Sequence, residues 1–236
     1  MFDAKKLLDQ FLGSEIPGVK GNVRDRAGQV TDLARNNPWK AGALATLLLG
    51  TKTGRSLTGN AVKLGGVAAV AGLGYLAYKN YKEGKAAPSP AAQQAEPELL
   101  PPPPESPFNP QSSMFSNDFA LTLVRAMIAA AKADGHIDSE ERAAIMQKVE
   151  AVDLGSEAQA FLEAELANPT DIDALVSAAR TEEQKVELYT ASRLAIEPDS
   201  RAERGYLDLL AGRLQLPDAL VDHIEATVSA AKVQSA

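Results

Sequence analysis

From about Met114 to Lys232 the apolar residues fall three and four positions apart. Leu123, Met127 and Ala130 form one such set, Ile145 and Val149 a second, and Leu188, Ala191 and Ala195 a third. Tyr206, Leu210 and Leu214 continue the pattern, as do Leu220, Ile224 and Val228. This period puts the apolar side chains on one face of an α-helix, and that face must be buried against another element. The spacing predicts helices over 117–133, 139–152, 156–167, 171–179, 182–196, 200–214 and 217–231. Start signals agree: Asp138 with Glu141, Ser156 with Gln159, Thr181 with Gln184 and Ser200 with Glu203 match or approach the capping box. Pro169, Pro198 and Pro217 fall at the predicted boundaries, where proline is tolerated. A segment of about 120 residues is long enough to enclose one core.

The N-terminal part has a different pattern. Leu7, Leu8, Phe11 and Leu12 share one face of a short amphipathic helix over 3–12, stopped by Gly13 and Ser14. Its apolar face suits a neighbouring helix, or a membrane surface with Lys5 and Lys6 beside it. A polar helix over about 19–35 is expected next, ended by Pro38. Trp39–Gly50 is an apolar dozen, too short to span a bilayer.

The main apolar stretch is Leu64–Tyr78, fifteen uncharged residues between Lys63 and Lys79. As a helix it covers ~22 Å against ~30 Å of hydrocarbon, and snorkelling lysines would narrow the gap. Small residues recur every fourth position, Gly65 with Ala69 and Ala68 with Gly72, a spacing that lets helices approach closely in lipid. Tyr75, Tyr78 and Tyr81 at one end fit an interfacial belt. Leu64, Gly65, Gly66, Val67, Gly72, Gly74, Tyr75 and Tyr78 are therefore candidate membrane residues. The other reading is a soluble Gly/Ala hairpin that self-associates. If residues 39–50 also enter the bilayer, the two segments form a hairpin around Lys52 and Arg55. Lys and Arg on both flanks leave its orientation open.

Nine of the fourteen prolines lie in residues 84–113, which reads as an extended, semi-rigid tether. The chain thus divides into a basic region at 1–83, the tether at 84–113 and a helical domain at 114–236. Charge follows this division: residues 1–90 hold 13 Lys and Arg against 6 Asp and Glu, whereas the remainder holds 11 against 25. The acidic half argues against nucleic-acid binding, which needs excess Lys and Arg. Without cysteine, disulfides, thiolate catalysis and Cys-based zinc sites are excluded. The early residues carry charges and no apolar core, so a signal peptide is not expected.

Candidate chemistry concentrates in a duplicated acidic turn. Ala129–Arg142 reads AAAKADGHIDSEER and Thr190–Arg204 reads TASRLAIEPDSRAER. Each is an Ala-rich helix, an acidic loop containing Asp-Ser, and a new helix. Asp134-Gly135-His136-Ile137-Asp138 through Glu141 resembles the second half of an EF-hand loop. Ala130 and Lys132 occupy the first two ligand positions and offer no side-chain oxygen, so an EF-hand is rejected. Helix capping explains most of the carboxylates. The alternative is a divalent-cation site gathering Asp134, Asp138, Glu141, Asp199 and Glu203, since clustered carboxylates repel without a cation or proton. A catalytic carboxylate pair is the third option. His136 reads as an exposed loop residue or a metal ligand, and His223 as incidental. The chain carries no P-loop, dinucleotide fingerprint, nucleophile elbow or HExxH motif.

The turn AKADGHIDSEE, the later run ASRLAIEPDSRAERGYLDLLAGRLQL and the Gly/Ala-rich basic N-terminal part together resemble the YebE-like family of bacterial inner-membrane proteins. The C-terminal half of that family is similar to TerB, the helical tellurite-resistance domain. The resemblance implies an all-α fold: a bundle of about seven helices with an internal pseudo-repeat, after membrane-type helices and a Pro-rich linker. It also implies acidic residues on the two equivalent turns as a divalent-metal site, matched here by Asp134, Asp138 and Glu141 and by Asp199 and Glu203. Ile196-Glu197-Pro198 replaces the Asp-Gly pair in the second turn, a departure from two-fold symmetry.

The expected function is a non-enzymatic, membrane-associated scaffold or stress-response module, with its C-terminal domain on the cytoplasmic side of the bacterial inner membrane. A protein partner and self-association through the Gly/Ala helices are expected. A metal sensor or buffer acting through the acidic turns is the alternative.

Overall fold

The computed structural model describes residues 3–12, 66–87, 101–112, 115–133, 146 and 155–233. Among them are eight α-helices and no strand. In chain order they are α1 (Ala4–Leu12), α2 (Gly66–Lys82), α3 (Asn117–Ala131), α4 (Ser156–Ala167), α5 (Ile172–Ala178), α6 (Glu182–Ala195), α7 (Arg201–Leu214) and α8 (Asp218–Val233).

Local chemistry sets most of the starts. Ser116 accepts from the Phe119 amide, Asp171 from Ala174 and Thr181 from Gln184, each satisfying an orphan N–H of the first turn. Ser200 and Glu203 close a full capping box, with bonds of 3.1 and 3.0 Å. The expected box at Ser156 and Gln159 does not form. Gly155 is the N-cap of α4 at φ +80°, which moves Ser156 inside the helix and leaves no side-chain cap. Gln184 accepts from the Arg180 amide rather than that of Thr181, so that start is a single cap beside a neighbouring bond.

Helix α6 lies at the centre and packs against α2, α3, α7 and α8. Its residues Val186–Ala195 are buried without a break, and Ile196 beyond its end is buried as well. The predicted core positions Leu123, Met127, Ala130, Leu188, Ala191, Ala195, Tyr206, Leu210, Leu214, Leu220, Ile224 and Val228 are all buried. Ile145 and Val149 lie outside the described residues.

Helix α1 packs on α2 and α3, and α2 on α6 and α8. Ala4, Leu7, Leu8, Val70 and Leu73 belong to the same core as the later helices, which therefore runs across the boundaries read at 83 and 114. Polar ends fix α1 in place. The Ala4 amide donates to Asn117 Oδ1 (2.8 Å), Lys5 Nζ donates to the Pro110 carbonyl (2.8 Å), and Asp9 Oδ1 accepts from the Val67 amide at the start of α2 (2.9 Å).

The Gly/Ala-rich stretch is spent on this core. Gly66, Val67, Gly72 and Gly74 are buried in protein, while Tyr75 and Tyr78 are half-buried; Leu64 and Gly65 lie outside the described residues. A Cβ on Gly74 would sit 3.4 Å from Val186 Cγ1 and 3.5 Å from Thr190 Oγ1. No described helix is long and apolar enough to cross a membrane.

Part of the expected tether is folded back as a strap. Residues 101–112 form successive turns, with Ser106, Asn109 and Ser112 amides bonded to the carbonyls of Pro103, Ser106 and Asn109. Phe108 is 2% exposed. Its ring centroid lies 5.9 Å from that of Tyr75 and 5.5 Å from that of Tyr78, so these tyrosines pack on the strap. An extended tether would leave this ring in water, and burying a Phe side chain is worth about 1.5–3 kcal/mol.

Candidate functional site

The second acidic turn connects α6 to α7. Glu203 Oε2 accepts from the Ser200 amide and is committed to the cap. Asp199 is exposed. Two carboxylates, one of them in a cap, fall well short of the roughly six to eight oxygens that Ca2+ takes. Asp134, His136, Asp138 and Glu141 lie outside the described residues. Among the described residues no group of three or more His, Asp or Glu side chains is placed to hold a metal ion.

The acid the structure engages at this turn is Glu197, from the segment that departs from the first turn's pattern. It belongs to a buried polar network between the end of α6 and α8. Arg193 is 4% exposed, with Nε 2.6 Å from Glu225 Oε2. Its other nitrogens donate to the Ile196 carbonyl (2.8 Å) and Ser229 Oγ (3.1 Å), and Glu197 lies 3.8 Å away. Lys232 Nζ is 2.9 Å from Glu197 Oε1 and donates to the carbonyls of Arg193 (3.2 Å) and Ile196 (2.8 Å). Tyr189 donates its hydroxyl to Glu225 Oε1 (2.9 Å).

Two cations and two carboxylates thus balance, and the cations satisfy the last carbonyls of α6, where the helix dipole is negative. Burial pushes the Lys232 amine down to about 8, reinforced by Arg193 and opposed by Glu197 and Glu225. Burial, followed by Glu225, holds the Tyr189 phenol well above its usual range. A legible signal existed for this network: Tyr189, Arg193 and Glu197 recur at i, i+4 and i+8, facing Glu225, Ser229 and Lys232 at i, i+4 and i+7. Each run carries one cation and one anion and the two complement each other pair by pair, but neither resembles a motif.

His223 has a structural role that its isolation in the sequence concealed. It is 3% exposed, with Nε2 2.9 Å from the Lys85 carbonyl and its ring edge-on to Tyr81. It ties α8 to the chain leaving α2.

The surface offers one apolar feature of a different kind. Leu209, 50% exposed on α7, is the large hydrophobic residue that the described surface leaves in solvent. It borders an open cleft of about 510 Å3 lined also by Pro169, Ile172, Asp173 and Arg213. Arg213 pairs with Asp173 across it, joining α7 to α5.

Comparison with known proteins agrees with a helical body of unassigned chemistry. Residues 35–228 match DUF533, described as a protein of unknown function. A protein of Yersinia enterocolitica, "Uncharacterized protein in ampR 5'region", is 32% identical over 106 residues, covering 45% of this chain and 76% of that protein. No solved structure matches the chain. With most of its length matched and its helices arranged as an all-α bundle, the chain belongs to DUF533, a TerB-like family of unknown function.

Proposed function

We propose that this chain is a non-enzymatic interaction module that docks a protein partner on its helical body and is held at the bacterial inner membrane by its basic, apolar N-terminal part. One observation carries the docking reading: Leu209 stands in solvent at the rim of an open cleft, flanked by the Arg213–Asp173 pair. An exposed apolar side chain next to charged and polar groups is the composition of a small protein-binding patch. Glu203 is occupied by a cap and Glu197 and Glu225 by ion pairs, which supports binding over acid–base catalysis.

The membrane part of the proposal takes a narrower form than a spanning Leu64–Tyr78 helix, because α2 packs in the protein core from Gly66 onward. Attachment then rests on Trp39–Gly50 and the Lys and Arg residues around it.

The test places a photo-crosslinking side chain at position 209 in the full chain in cells, with exposed position Arg201 as control. Membrane and soluble fractions are then separated by an alkaline wash. A discrete crosslinked protein from 209 and not from 201, retained with the membrane fraction, is the expected result. Identical crosslinking from both positions would sink the docking patch, and loss of the whole chain to the wash would sink the attachment.

A further inference from the structure

Helix α6 holds a second set of buried polar atoms away from the paired network. Glu187 is 1% exposed and Thr190 is fully buried. Glu187 Oε1 and Thr190 Oγ1 both lack a hydrogen-bond partner. The two residues are three apart and so neighbours on the helix surface. Thr190 with Val186 faces the bare backbone of Gly74 on α2. An ionised carboxylate in such a place is costly, because among the described residues no cation pairs with it, whereas a protonated carboxyl is tolerated.

Among the described residues, the elements packed around α6 direct their own charges elsewhere. From α2, Tyr78 and Lys82 are bound to Glu182 at the surface, and Lys79 is exposed. From α3, Arg125 pairs with Glu165 and Asp118 is exposed. From α7, Tyr206 donates to the Ala126 carbonyl and Asp208 is exposed. From α8, Glu225 and Lys232 serve the network on the other side, and His223 faces the Lys85 carbonyl. On α1, which packs on α2 and α3, Lys5 and Asp9 are bound to Pro110 and Val67. On α6 itself Glu183 lies one turn before Glu187, and a like charge there opposes ionisation.

We propose that Glu187 is a proton-operated latch in the centre of the bundle: with its proton in place α6 closes against the surrounding helices, and loss of that proton to solvent loosens the packing. Burial first, then Glu183, holds its carboxyl well above the usual carboxylate range. A folded-state value above the unfolded one means that the latch is fully closed below the unfolded carboxyl range. Its contribution is lost as pH rises from there through the folded-state value. The bundle's central helix therefore senses pH through a residue outside the docking cleft and the acidic turns.

The experiment is urea unfolding of the full chain from pH 5 to 8, beside Glu187→Gln, which keeps the shape and cannot ionise. The wild-type folding constant should fall relative to the variant by up to about tenfold per pH unit within the titrating window. At one pH, such as 8, the α6 amides should exchange faster in the wild type than in the variant. Parallel unfolding midpoints across the range, or equal exchange, would overturn the latch. If Glu187→Gln does not fold, the carboxyl carbon resonance of Glu187 in the wild type decides. An acid-form signal at pH 6 supports the proposal, and a carboxylate signal there overturns it.

Discussion

Helix α6 buries polar groups on two faces and treats them differently. Toward α8, Arg193 is buried with Glu225, Ser229 and backbone carbonyls around it, and Lys232 closes the arrangement on Glu197. On the other side, Glu187 and Thr190 are buried as deeply with no partner for Oε1 or Oγ1. The first face locks two helices together through paired charges. The second stores a cost that a single proton controls. The lesson is that burial alone does not tell whether a polar residue stabilises a fold; the number of satisfied donors and acceptors does.

Removing one member of the satisfied face should have the largest effect. Arg193→Ala takes from Glu225 its cation and from the Ile196 carbonyl one of its two donors, and a loss of about 3–5 kcal/mol in chemical unfolding is expected. A loss below about 1 kcal/mol would mean that the network is no stronger than an exposed pair.

Lys232 sharpens the contrast through pH. Its folded-state value, near 8, is depressed below the unfolded one, so its contribution to stability rises as pH climbs from about 8 toward the unfolded range. Relative to Lys232→Met, the wild type should gain up to about 1.4 kcal/mol per pH unit between pH 8 and 9.5. That is the opposite sign to Glu187, and a flat difference over this interval would contradict it.

Smaller effects test the unsatisfied face and the acidic turn. Thr190→Val replaces an unpartnered hydroxyl with a methyl of similar shape and should raise stability by about 1 kcal/mol. Destabilisation by that much would mean that the hydroxyl has a partner. In the turn, Ser200→Ala should cost about 1 kcal/mol through the lost cap. Asp199→Asn should stay within about 0.5 kcal/mol at any millimolar concentration of Ca2+, Mg2+, Mn2+ or Zn2+. A metal-dependent rise in melting temperature that this change abolishes would restore the cation reading.

Helices α3 to α8 were legible because their signals are local. The starts at Ser200 and Thr181 and the period of Leu210 and Leu214 depend on residues within one or two turns. The start at α4 was misread for a local reason as well, since Gly155 takes the positive φ and the cap position ahead of Ser156. The candidate site was less legible. Asp199 and Glu203 stood out because acidic turns resemble metal loops, yet one is exposed and the other caps a helix. Glu197, Arg193 and Lys232 became a unit only when α8 was laid beside α6, across a separation of more than thirty residues.

The sequence by itself determined the helical class, most of the helix ends and which side of each C-terminal helix is apolar, because periodicity and capping act over a few residues. It also determined that Leu64–Tyr78 is an apolar stretch rich in small side chains. Only the tertiary structure decided what covers α2: α1, α6 and α8 do, with Phe108 of the strap seated at its tyrosines. The same packing decided the fate of Glu187. In the run Glu182-Glu183-Gln184-Lys185-Val186-Glu187 it reads as one more solvated acid, and it is buried because neighbours surround α6. Apolar surface and charge are written in the chain, but the partner that desolvates them comes from distant segments, and desolvation sets the energy of both.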